Sequence, residues 1–88
     1  MRIEEIRTSP QFEKQYKKLP KRIKELAKGR GVIFRANLFD SRLETHKLHG
    51  MEKDIWSFSI NRSYRIKFIF LGGNKVLFLE IGTHNIYK

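Results

Sequence analysis

Hydrophobic and polar positions along the chain change period twice, and the changes divide it into elements. "RIEEIR" sets Ile3 and Ile6 among charges just before a stop signal, which fits a short first strand. "TSPQFEKQYKKL" follows with Thr8 or Ser9 as N-cap, Pro10 in the first turn, and Phe12, Tyr16 and Leu19 on one stripe, predicting an amphipathic helix with its lysines outward. Pro20 ends it and opens a second helix, in which Ile23, Leu26, Ala27, Ile33 and Phe34 keep the helical period through "KRIKELAKGRGVIFRAN". Gly29 and Gly31 interrupt that stretch at a cost of about 1 kcal/mol each relative to alanine, which predicts a bend or fraying near "KGRG". "LFDSRLETHKLHGMEKD" has no period and reads as a connecting segment lying partly against the core.

Beyond it the period is two. "IWSFSIN" separates Trp56, Phe58 and Ile60 from Ser57 and Ser59, and "SYRIKFIFL" separates Tyr64, Ile66, Phe68 and Phe70 from Arg65, Lys67 and Ile69. "GGN" reads as a hairpin turn into "KVLFLEIG", where the alternation sends Leu77, Leu79 and Ile81 inward and Val76, Phe78 and Glu80 to the other face. The order strand, helix, helix and three-strand antiparallel meander defines an α+β fold, β-α-α-β-β-β, with both helices on one sheet face and the other face open. Residues 1–88 make a single domain, since this length leaves no room for a second core.

Charge adds a partner class. Nineteen Lys and Arg against nine Asp and Glu give a formal +10, a field that attracts polyanions, and nucleic acid is favoured over a membrane because the amphipathic stretches must also form the core. Cysteine is absent, so a thiolate nucleophile and a disulfide framework are excluded and a reducing cytoplasm is the expected compartment. "MRIEEIRTSP" has no signal-peptide apolar run, and no stretch approaches the roughly 20 apolar residues that span a bilayer.

On the open face the alternation collects Ser57, Ser59, Arg65, Lys67, Phe78, Glu80 and, past Gly82, His84. With His46, Lys47 and His49 of the "ETHKLHG" segment, these would surround one concavity with guanidinium, ammonium and imidazole groups, a set suited to a phosphodiester. Three imidazoles also suit zinc, but their spacing matches no metal motif, so neither a metal nor a cofactor is expected. Phe78 and Tyr87 could stack on unpaired bases or meet a protein partner.

"LHGMEKDIWSFSINRSYRIKFIF" followed by "VLFLEIGTHNIYK" resembles the RelE/ParE superfamily of bacterial and archaeal toxins, in particular its mRNA interferase branch of the RelE, StbE and YafQ kind. The resemblance covers nearly the whole chain and implies metal-independent cleavage of mRNA in the ribosomal A site, with inhibition by a cognate antitoxin encoded nearby. It also implies roles: Arg65 follows the tyrosine of the second meander strand, His84 follows the glycine of the last strand, Tyr87 is the C-terminal tyrosine, and His46 matches the histidine ahead of the meander. Arg65, His84 and His46 would then be catalytic and Tyr87 would bind substrate, while Lys47, His49, Arg62 and Lys67, which no motif assigns, are expected to bind substrate by their charge. Where RelE carries lysines on the first meander strand this chain has Ser57 and Ser59, which leaves the proton acceptor open between His46 and an unassigned group. The rival functions within the superfamily are a ParE-like gyrase poison and an inactive relative that binds RNA or titrates antitoxin.

Overall fold

A computed structural model describes residues 1–50 and 54–87, so part of the connecting segment and the last residue lie outside it. The helices form where capping and periodicity place them. Strand β1 (Glu5–Thr8) leads into helix α1 (Pro10–Lys17), whose N-cap Ser9 accepts the Phe12 amide through its side chain at 2.9 Å. Helix α2 (Lys21–Ala36) begins directly after Pro20 and continues as α-helix through Gly29 and Gly31. No bend or fraying interrupts it at "KGRG", because Ile23, Ala27 and Phe34 are buried on either side and hold both halves to the core. No described helix is long and apolar enough to cross a membrane.

The connecting segment carries more order than its missing period predicts. Leu38 and Leu43 are fully buried, a single 3-10 turn spans Ser41–Leu43, and His46–Lys47 forms a two-residue strand, β2. Strands β3 (Trp56–Ser59), β4 (Arg65–Gly72) and β5 (Lys75–Gly82) follow, and a second 3-10 turn (His84–Tyr87) ends the described chain. The sheet has five strands in the order β1-β5-β4-β3-β2, antiparallel except for the parallel β1–β5 pair. The fold is therefore α+β, as the element order predicts, with one added edge strand. Gly73 and Asn74 make the β4–β5 turn, both at positive φ (59° and 60°), the left-handed pair that a two-residue hairpin of this hand requires.

One expected alternation fails. Opposite the adjacent pair Lys67 and Phe68 of β4 stand Glu80 and Phe78 of β5, so Leu79 is an extra residue in a β-bulge. The bulge reverses the parity of β5. Before it Val76 and Phe78 face the helices, after it Ile81 does, and Leu77 and Leu79 are only half-buried. Phe78 is thus a core residue, not an open-face one: its ring lies 5.5 Å from Phe12, 5.4 Å from Phe34 and 5.7 Å from Phe58. Each such aromatic pair adds about 0.5–1.5 kcal/mol beyond its area burial.

Candidate active site

Register places the site residues across the second sheet face. His46 of β2 pairs with Ser57 of β3, Ser57 with Lys67 of β4, and Lys67 with Glu80 of β5. Residues directly opposite in a ladder point to the same side, so these four form one row. A neighbouring row runs Ser59, Arg65, Gly82. This face is not open: Ser57, Ser59 and Lys67 are all less than a tenth exposed, and the C-terminal turn folds back over them.

Three contacts seat that turn. Ile86 is buried and touches Gly82, whose missing side chain makes the approach possible: a β-carbon there would meet Ile86 Cγ2 at 2.8 Å. Lys67 Nζ donates to the Ile86 carbonyl at 2.6 Å, and the Tyr87 hydroxyl and Ser57 Oγ are 2.7 Å apart. His84 and Tyr87 are thereby carried over the same face as Arg65 and His46, with the His84 and Tyr87 rings edge to face at 6.4 Å. His84 itself is exposed.

Arg65 is half-buried and held through one guanidinium nitrogen. Its Nη1 donates to the Asn61 carbonyl at 2.8 Å and to Ser59 Oγ, while Nη2 and Nε have no hydrogen-bond partner among the described residues. Asn61 in turn shapes the β3–β4 turn by accepting the amides of Ser63 (2.9 Å) and Tyr64 (2.7 Å). A guanidinium fixed on one side and free on the other is suited to a bidentate grip on phosphate oxygens.

His46 is exposed, and its Nδ1 lies 2.9 Å from the Glu44 carbonyl. A carbonyl only accepts, so Nδ1 carries a proton and Nε2 of the neutral ring is left as an outward acceptor. Glu44 is the residue that sequence reasoning passed over. It caps the first 3-10 turn in the left-handed conformation, φ 51°, and its Oε1 accepts the Ser59 hydroxyl at 3.1 Å, joining a carboxylate to the Ser59–Arg65 contact. The signal was an acid two residues before a candidate histidine, in a segment read only for its bases.

Other expected residues are not gathered here. Lys47 alternates with His46 and pairs with Trp56, so it faces the opposite side of the sheet, where it bridges Asp54 at 2.9 Å and holds that carboxyl below the usual range by hydrogen bond and charge. His49 lies exposed in the turn after β2 and Arg62 exposed in the β3–β4 turn, neither with a hydrogen bond to the row. Among the described residues no three histidines or carboxylates are grouped as a metal ion would need. A groove of about 620 Å³ lies elsewhere, between Ile6 of β1 and Val32 of α2.

This arrangement of two helices and a five-strand mixed sheet is a fold shared with solved RelE, YoeB and YafQ toxin structures. A chain of the archaeal RelE–RelB complex from Pyrococcus horikoshii OT3 superposes with a TM-score of 0.73 at 16% identity, covering 94% of this chain and 96% of that one. The YoeB/ParE toxin from Agrobacterium tumefaciens gives 0.75 at 14% identity, over 92% and 99%. The E. coli DinJ–YafQ toxin–antitoxin complex gives 0.69 at 21%, over 98% and 97%. No protein-family model and no curated protein matches the sequence.

Proposed function

We propose that the chain is the toxin of a type II toxin–antitoxin system and an endoribonuclease that cleaves mRNA in the ribosomal A site. The observation that carries this reading is the convergence of Arg65, His46, His84 and Tyr87 on one sheet face, two of them pinned in chemically useful orientations. In the proposed step the 2'-oxygen of a nucleotide attacks the adjacent phosphorus and the bond to the 5'-oxygen breaks. The products are a 2',3'-cyclic phosphate and a 5'-hydroxyl. His46 Nε2 takes the 2'-hydroxyl proton, Arg65 balances charge on the equatorial oxygens, and His84 delivers a proton to the leaving 5'-oxygen. Tyr87 borders the acid, and the exposed Arg62 and His49 provide flanking contacts to RNA, whereas Lys47, turned to the other side of the sheet, does not.

Function on the ribosome would place the protein in the cytoplasm, and its +10 charge suits both ribosomal RNA and an acidic antitoxin. Solved neighbours that are themselves toxin–antitoxin complexes, RelE–RelB and DinJ–YafQ, support a protein antitoxin as the second partner.

The test is cleavage of mRNA on programmed ribosomes. Loss of a general acid lowers rate by about 10² to 10⁴, so His84→Gln should cleave that much more slowly while binding ribosomes like the wild type. Equal cleavage by the variant removes His84 from the mechanism. A wild-type protein that cleaves no RNA but traps gyrase on DNA would instead be a ParE-like poison, and one that does neither yet binds its antitoxin would be an inactive relative.

A further inference from the structure

Lys67 stands apart from the exposed bases of the site. Its side chain is 9% exposed, and its ammonium is committed on two sides, to Glu80 Oε2 at 2.8 Å and to the Ile86 carbonyl at 2.6 Å. The contacts continue outward: Gln15 of α1 donates to Glu80 Oε1 at 3.2 Å and accepts the Ile81 amide at 2.8 Å. A polar chain therefore runs from α1 through β5 and β4 to the turn that carries His84 and Tyr87. Besides this grip, among the described residues, the buried Ile86 lies against Gly82 and the Tyr87 hydroxyl against Ser57. Lysine suits this position because its compact, flexible ammonium reaches a carboxylate and a carbonyl at once, and its stem packs in the sheet face.

We infer that Lys67 is a positioning residue and not an RNA contact: it grips the Ile86 carbonyl, with Glu80 and Gln15 aligning it, and so fixes the turn that presents His84. The inference rests on the reading of His84 as the acid, but the grip can be measured without any cleavage. Charge-assisted hydrogen bonds to a backbone carbonyl are among the stronger ones, and a reacting group displaced by about 1 Å can lose 10²-fold in rate.

The experiment compares wild type with Lys67→Met, which keeps the stem but cannot donate and leaves Glu80 partly hydrated. Three readouts are taken: the nuclear Overhauser contact between the Ile86 γ2 methyl and the Gly82 α protons, cleavage on programmed ribosomes, and the salt dependence of ribosome binding. Positioning predicts loss of the 82–86 contact with the Phe34–Phe58 core contact intact, about 10²-fold slower cleavage, and an unchanged salt slope. A lysine that contacts phosphate would leave the 82–86 contact in place and lower the salt slope by about one, which overturns the inference. So does an intact contact with an unchanged slope. If Lys67→Met does not fold, Lys67→Met with Glu80→Gln removes the donor and both charges together and is read in the same way. A wild type that cleaves nothing refutes the proposed function, while the 82–86 contact still decides the grip.

Discussion

Ile86 closes onto Gly82 so tightly that a β-carbon at position 82 would come within 2.8 Å of Ile86 Cγ2. The seating of the C-terminal turn thus requires the glycine. Gly82→Ala should leave the helices and sheet intact and push the turn off its seat, at an overpacking cost of about 1–3 kcal/mol. Far-ultraviolet circular dichroism should be unchanged, and cleavage should fall with the displaced His84. Full activity in a folded Gly82→Ala protein would show that the turn need not be seated.

Arg65 ties the β3–β4 turn through its bonds to Asn61 and Ser59, and the proposed function gives it a chemical role as well. Arg65→Ala removes the bonds to Asn61 and Ser59, so a loss of about 1–3 kcal/mol in denaturant unfolding is expected along with loss of cleavage. Arg65→Lys separates the two roles. A lysine can restore one bond to the Asn61 carbonyl but cannot also offer a planar fork to phosphate, so stability should recover more than activity. Recovery of both would reduce Arg65 to a point charge.

Much of this fold was legible because local signals agreed with it. Ser9 and Pro10 start α1, Pro20 separates the helices, and alternation from Trp56 to Phe70 gives β3 and β4 with their faces correctly sorted. The faces of β5 were not legible, because "KVLFLEI" alternates just as well with its parity reversed. Only pairing with β4 puts Leu79 into a bulge and sends Phe78 into the core. Strand β2 was hidden for a similar reason: two exposed residues carry no period, and their order comes from the ladder with Trp56 and Ser57. That ladder also divides the basic segment, turning His46 toward the site and Lys47 away from it. The placement of Arg65, His46 and His84 on a common side is a product of register, which sequence spacing alone does not report.

Asp40 caps the 3-10 turn that ends at Glu44, accepting the Arg42 amide at 2.9 Å and the Arg42 guanidinium through both carboxylate oxygens. These bonds, the guanidinium's first, lower its pKa from 3.8 to about 2. A depressed carboxyl pKa stabilises the folded state above the unfolded value and loses that contribution as pH falls through the folded one. Local order of residues 41–44 should therefore persist at pH 4 and fade toward pH 2. Carboxyl carbon shifts followed by NMR would show it, and Arg42→Ala should return the midpoint toward 3.8. A wild-type midpoint already near the ordinary value would mean the Asp40–Arg42 fork does not persist in solution.

The proton acceptor is the last assignment that mutation can decide, because the structure offers two groups a short distance apart in sequence. His46 presents Nε2 outward with Nδ1–H held by the Glu44 carbonyl, whereas the Glu44 carboxylate is already engaged by Ser59, itself bonded to Arg65. On the proposed function, this geometry makes His46 the base and leaves Glu44 to steady the Ser59–Arg65 pair. His46→Gln should then lower cleavage by about 10² to 10⁴ and abolish the rising limb of the pH–rate profile. Glu44→Gln keeps a carbonyl oxygen that can accept from Ser59, so it should cost less and leave the shape of the profile unchanged. The reverse pattern, a steep loss and a flattened limb in Glu44→Gln with His46→Gln nearly as active as wild type, would transfer the base to Glu44 and leave His46 as a binding group.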